Sequence, residues 1–365
     1  MEVTNLAYRN LFCGGMLPGR IHPFERRQAP SGAGQVLFET ASLISLFTIG
    51  FPDLLGKPYN NTRLPFMSAS RSKLRAAYAE CRRLASRHYE NFPTASYLVP
   101  RDKRDALAAV YAFARYADDV ADEPGVENRL EKLADWRAQL ADCYAGKIDH
   151  PVFLALRDSA ERFRLSRQNF ENLLRAFESD VVVNRHADFA SLRAYCACSA
   201  NPVGRLVLEL FGYHDPHLFE LSDNICTALQ LANFWQDVAV DFSRDRVYLP
   251  QEDMARFNYT LEDLRAGRLN DQWQELLAFE IARTRELFER GRGLPEEVQP
   301  KLRTQLRLTW LGGTEILSKI EAVSYDIFHR RPSLSKWDFL RLYLRARRAP
   351  LRASAAHAPT VTIPS

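Results

Sequence analysis

From Lys73 onward the apolar positions recur at steps of three and four residues, the spacing that lays a single stripe along an α-helix. The stripes run through 74–89, 105–122, 129–145, 152–164, 168–181, 191–211, 221–242, 270–291 and 298–329. No set of alternating apolar and polar positions competes with them. The one β-like run, Val181 to Val183, is too short to begin a sheet. Such a pattern predicts an all-α fold, one domain of many helices bundled around a central cavity, over residues 73–340.

The two ends break the pattern. Residues 1–72 carry prolines at 18, 23, 30, 52, 58 and 65 and no long amphipathic stripe, so they read as an irregular leader, or as sequence upstream of a true start near Met67. A membrane-contacting extension through Leu43 to Leu55 is a further reading of the same segment. The last stretch, 341–365, is basic at first and then rich in Ala, Pro and Thr, and predicts a disordered tail.

Composition narrows the class. An apolar fraction of 46% with 26% charged residues is that of an ordinary globular protein. The formal charge of +4 is small beside 49 basic and 45 acidic side chains, so no molecule-wide field points to a nucleic-acid partner. Six cysteines without a CxxC pair predict reduced thiols and a cytoplasmic setting. No run of about 20 uncharged apolar residues suggests a spanning helix. The arginines from 341 to 352 allow either a solvated tail or peripheral contact with anionic lipid at the inner face of a membrane.

Two segments carry candidate chemistry. In the helix that ends at Pro124-Gly125, Asp118 and Asp122 stand four residues apart and project from one face, with Arg115 one turn earlier on the same side. Like charges at this spacing cost an isolated helix roughly 0.2–0.5 kcal/mol, and acids at a helix C-terminus also oppose its dipole. A solvated acidic helix end would tolerate this, and a hard divalent cation would explain it. In the second segment Asn233, Asp237 and Asp241 form an i, i+4, i+8 stripe on a helix that is otherwise apolar nearly all round. Carboxylates on such a helix are buried, and buried carboxylates are paired or coordinate a metal. Facing each other across a cavity, the two acidic faces could hold Mg²⁺ ions, and the ions a diphosphate. Neutralising a leaving diphosphate is Lewis-acid catalysis, and an aromatic wall would shelter the resulting carbocation. Phe92, Tyr111, Phe113, Phe234 and Trp235 are candidates for that wall, although such residues are more often plain core.

These residues resemble the two motifs of the squalene/phytoene synthase family, Arg-x-x-Asp-x-x-x-Asp and Asn-x-x-x-Asp-x-x-x-Asp. Arg246-Val-Tyr248-Leu-Pro250 is similar to the family's segment after the second motif, and Tyr195-Cys196 with Pro202-Val203-Gly204 to its Tyr-Cys helix. The wording at Glu90–Ser96, Ala112–Asp119, Ser199–Arg205 and Asn233–Asp241 resembles the hydroxysqualene synthase branch. Condensing members tend to carry Arg where this chain has Gln236, and a basic-Ser-Phe start where it has Glu90-Asn91-Phe92.

The resemblance implies an isoprenoid synthase domain and Mg²⁺-assisted ionisation of presqualene diphosphate. Rearrangement and water capture would then give hydroxysqualene without a reductant. It implies metal contacts from Asp118, Asp122, Asn233, Asp237 and Asp241, and places Tyr195 by the reacting carbons. Arg115, Arg246 and Tyr248 are implied at the diphosphate, with Gln236, Phe92 and Ser96 also at the substrate. A presqualene diphosphate synthase would be the functional partner. A presqualene diphosphate or phytoene synthase is the alternative activity, and a non-catalytic assembly factor on the same fold the alternative of another class. His214 and His217 lack the Glu of a zinc-protease helix and read as surface residues.

Overall fold

In the computed structural model residues 68–88, 100–123, 125–148, 150–348 and 351 are described. The apolar stripes fold as helices α1 (Ser68–His88), α2 (Arg101–Asp122), α3 (Arg129–Ala145), α4 (Pro151–Phe163), α5 (Arg167–Val182), α6 (Phe189–Ser199), α7 (Asn201–Leu210) and α8 (Pro216–Phe242). The short helices α9 (Gln251–Arg256) and α10 (Leu261–Ala266) follow, then α11 (Asp271–Gly291), a 3-10 turn at Leu294–Glu297, α12 (Pro300–Ala322) and α13 (Lys336–Arg348). The described residues contain no strand, and the fold is all-α, as the stripes predict. Of the expected leader 1–72, residues 1–67 lie outside the described residues and 68–72 belong to α1; the stretch from 352 onward, Phe92 and Ser96 also lie outside them.

The chain departs from the stripe pattern where local chemistry overrides it. The stripe at 191–211 breaks into α6 and α7 around Ala200, because Pro202 has no N–H to continue the ladder and starts a helix instead. α8 begins at Pro216, ahead of its stripe, since the Asp215 carboxylate accepts from the His217 amide and caps it. The 298–329 stripe stops at Ala322, and Ser324 and Tyr325 turn the chain with left-handed φ of 54° and 62°. Residues 336–348, placed across the end of the domain and the start of the tail by the sequence, form a helix that buries Leu342 and Ala346 against α12.

Long helices can meet closely only where side chains are small. α2 supplies Ala106, Ala108, Ala109, Ala112, Ala114 and Ala117, all buried, and packs on α1, α4 and α5. Its Phe113 sits in an aromatic core with Trp136, Phe153 and Phe170, at ring centroid distances of 5.2 to 5.9 Å. α8, α11 and α12 close around two glycines. A Cβ at Gly291 would stand 2.7 Å from the Leu221 carbonyl oxygen, and one at Gly313 2.4 Å from Phe288. A backbone carbonyl cannot rotate away, so Gly291→Ala should cost about 1–3 kcal/mol through helix displacement. Calorimetry should show a melting temperature lowered by several degrees, and an unchanged melting point would mean that α8 and α11 can slide freely.

Candidate active site

Helix α2 ends in Asp118, Asp119 and Asp122 with no basic residue in its last turn, so three acids face the negative end of the helix dipole. Two arginines offset them. Arg115, one turn back, pairs with Asp119 and lies 3.6 Å from Asp118. Arg246 arrives from the segment after α8 and grips Asp122 with Nη2 at 2.8 Å and Nη1 at 3.5 Å. Asp118 is wholly buried, and neither of its oxygens accepts a hydrogen bond among the described residues. Burial, only partly opposed by the Arg115 charge, holds its carboxyl well above the usual carboxylate range.

On α8, a helix of 27 residues, Asn233, Asp237 and Asp241 fall on successive turns. Asp241 is buried, and its Oδ2 accepts no hydrogen bond. Burial and then the neighbouring Asp237 charge push its carboxyl up to about 8, against Arg244, Arg246 and Arg331. Arg331, from the turn after α12, forms a two-pronged ion pair with Asp237, its Nη2 at 3.0 Å from Oδ2. Gln236 is buried and donates through Nε2 to the Pro332 carbonyl, which pins the segment that carries Arg331.

The two acidic helices do not pack directly on one another in any extended contact; α7 touches both. What joins their ends is Arg246, whose charge acts on Asp122 and Asp180 on one side and on Asp241 on the other. Its position is fixed by the backbone. The Val247 amide donates to the Asn184 carbonyl at 3.0 Å, and Gln251 and Glu252 donate to His186 and Ala187. The segment after α8 is thus zipped in parallel against the segment after α5, with one bridge between Arg185 and Val247. The Arg185 to Asp245 ion pair, at 2.5 Å, secures the turn at Asp245, whose φ is 63°.

The same zipper presents an aromatic wall. Tyr248 stacks on Phe234 of α8 with ring centroids 3.7 Å apart and planes 11° from parallel. Tyr195 of α6 stands 6.0 Å from Tyr248 and 6.3 Å from Phe234, and His186 lies within 6 Å of both tyrosines. α6 is held in place by a capping box in which Asp188 and Ser191 satisfy each other's amides. The Tyr195 hydroxyl donates to the buried Asp180 carboxylate of α5. Burial pushes Asp180 up to about 7, against Arg246 and the tyrosine hydrogen bond.

Of the aromatic candidates from the sequence, Phe234 lies on this wall. Phe113 belongs to the core cluster around Trp136, and Trp235 donates to Thr284 Oγ1 at 2.8 Å in the interior. Tyr111 is fully buried on α2. Asp180, His186 and Arg331 escaped the sequence reading. None stands in a spaced motif, and each reaches the site through tertiary contacts that no local pattern announces.

Among the described residues no three His, Cys or acidic side chains converge enough to cage an ion alone. The candidate donors are nevertheless all hard oxygens, and three of their buried carboxylate oxygens, both of Asp118 and Oδ2 of Asp241, accept no hydrogen bond. That set fits Mg²⁺, which takes one or two carboxylates and completes its octahedron with water and phosphate.

Comparison with known proteins adds to this geometry. The squalene/phytoene synthase family profile matches residues 85–338. A phytoene synthase from Arthrospira platensis is 32% identical over 275 residues, which cover 72% of this chain and 89% of that protein. The 15-cis-phytoene synthase of Synechococcus elongatus is 30% identical, covering 74% and 92%. The crystal structure of squalene synthase HpnC from Alicyclobacillus acidocaldarius superposes with a TM-score of 0.67 at 39% identity, over 70% of this chain and 96% of that one.

Proposed function

The chain belongs to the squalene/phytoene synthase family of prenyltransferase-like enzymes, and from that premise we propose that it converts presqualene diphosphate and water to hydroxysqualene and diphosphate. The observation that carries this choice is Gln236. Condensing relatives tend to place an arginine there, whereas this side chain is buried and engaged with the Pro332 carbonyl. One leaving diphosphate needs fewer cationic contacts than two. The 39% identity to a squalene synthase favours a squalene-type product over phytoene.

On this reading Asp118, Asp122, Asn233, Asp237 and Asp241 would hold the metal, which when bound supplies Lewis-acid stabilisation of the departing diphosphate. Arg115 and Arg246, half-buried beside the acids, would turn their guanidinium groups to the diphosphate oxygens. The carbon–oxygen bond breaks with its electron pair leaving on diphosphate, and the cation rearranges along the faces of Tyr195, Phe234 and Tyr248. Water adds to the carbon and loses a proton. Tyr195, its hydroxyl held by Asp180, fixes the wall nearest the reacting carbons. A presqualene diphosphate synthase would then act upstream, as the partner that supplies the substrate.

A second reading, phytoene synthase, is favoured by the relatives of that name at 30–32% identity. One assay separates them. Purified enzyme with Mg²⁺ and no NADPH should turn presqualene diphosphate into an alcohol that carries ¹⁸O from labelled water, and should leave farnesyl and geranylgeranyl diphosphates alone. Phytoene from geranylgeranyl diphosphate would establish the second reading, and presqualene diphosphate from farnesyl diphosphate would make the enzyme a condensing synthase.

A further inference from the structure

Helix α13 has two unlike sides. One side buries Leu342 and Ala346 and rests Phe339 and Tyr343 against the core. Its one acid, Asp338, is turned to this supporting structure, accepting from the Ser335 amide at 2.8 Å and pairing with Lys319 at 2.9 Å. The other side carries Trp337, Leu340, Arg341, Leu344, Arg345 and Arg348, where 337, 341, 344, 345 and 348 are linked by intervals of three and four and so share a face; Arg341 also reaches back to Glu315 of α12. Trp337 is 79% exposed and Leu344 40% exposed. The four other tryptophans, 136, 235, 273 and 310, are all buried, so this one is exceptional within its own chain.

Charge follows the same division. The helix holds Lys336, Arg341, Arg345, Arg347 and Arg348 against Asp338 alone. That excess equals the formal charge of the entire chain, +4, so the remainder of the sequence is neutral overall while this one helix is strongly basic. An exposed indole and leucine row bordered by arginines is the signature of a helix that lies in a membrane interface. The ring sits at headgroup depth, and the guanidinium groups reach anionic phosphates while their stems cover apolar surface.

We propose that the outer face of α13, centred on Trp337 and Leu344 and bordered by Arg341, Arg345 and Arg348, docks the enzyme on an anionic lipid bilayer. No described helix is long and apolar enough to cross one, so docking of this kind is peripheral. It does not depend on which isoprenoid the site turns over.

The test is partition of the full chain onto vesicles of phosphatidylcholine alone or mixed with phosphatidylglycerol, followed by sedimentation and tryptophan emission. Binding is expected only with the anionic lipid and should weaken with added salt. It should be accompanied by a blue shift of emission that disappears in Trp337→Phe. Near a charged surface each arginine contributes about fivefold to partition, so the Arg345→Gln/Arg348→Gln double variant should bind roughly 25-fold more weakly. Both side chains are exposed, and circular dichroism should confirm that the variant stays folded. Absence of binding would overturn the proposal, and so would binding undiminished in the double variant, which would locate membrane contact elsewhere, residues 1–67 included. Protection of Trp337 from acrylamide before lipid is added would also overturn it, because a second copy or another segment would already cover the face.

Discussion

Asp118→Asn is expected to lower turnover by about a thousandfold, the upper range for deleting one preorganised electrostatic group, without weakening the fold. Most buried charges behave otherwise, since removing one partner of a buried pair strands the other at a cost of about 3–5 kcal/mol. Arg115 would not be stranded, because it already pairs with Asp119 more closely than with Asp118. Asp118 itself is the poorly compensated group, wholly buried with only the Arg115 charge at 3.6 Å beside it and neither oxygen hydrogen-bonded. Its amide analogue has nearly the same volume and no charge to desolvate. Melting of the metal-free variant should therefore match or exceed that of wild type, while only wild type gains stability from Mg²⁺ and diphosphate together. Stabilisation of about 2.7 kcal/mol at a hundred times Kd is large enough to read by calorimetry. Full turnover in the variant would remove Asp118 from the ionising site. A cooperative loss of fold would mean that the carboxylate has a structural partner.

The contrast between Asp118 and Arg331 shows which parts of this site a sequence can disclose. Asp118 and Asp122, or Asn233, Asp237 and Asp241, are legible because a helix turns an interval of four into a shared face. The same regularity made the long helices legible, from α2 through α12. Arg331 lies in a turn that leaves α12 and is brought to Asp237 by the Gln236 to Pro332 contact, which depends on two distant segments meeting. Asp180 sits on a helix read correctly as helix, but only the packing of α5 on α6 places it beneath Tyr195. The stripe of α13 was hidden for a different reason. Its arginine-rich outer face reads as solvated tail until Leu342 and Ala346 are seen buried behind it. Periodicity thus reports one element at a time, while a functional site is assembled between elements.

Asp180→Asn is expected to reduce turnover by about 10- to 100-fold and, more tellingly, to change the dependence of rate on pH. Asp180 accepts the Tyr195 hydroxyl and lies in the field of Arg246, which in turn grips Asp122. Acting through those neighbours, it is a positioning residue, and its hold on them requires the carboxylate form. Burial places its pKa at about 7, so the wild-type rate should rise with pH across roughly pH 6 to 8 as Asp180 ionises, and that limb should be absent from the variant. Stability should move in the opposite direction. An unfolded carboxyl titrates at about 3.8, so between there and about pH 7 the folded chain holds a proton that the unfolded chain has released, and its stability falls as pH rises. One pKa unit is worth about 1.4 kcal/mol, so by pH 8 the wild type should have lost several degrees of melting temperature that the asparagine variant keeps. A merely structural role would alter stability and leave the shape of the rate profile unchanged. Parallel pH profiles in the two enzymes would therefore sink the positioning role, whatever the variant does to melting. A retained limb near pH 7 would transfer the titration to another group in the same cluster.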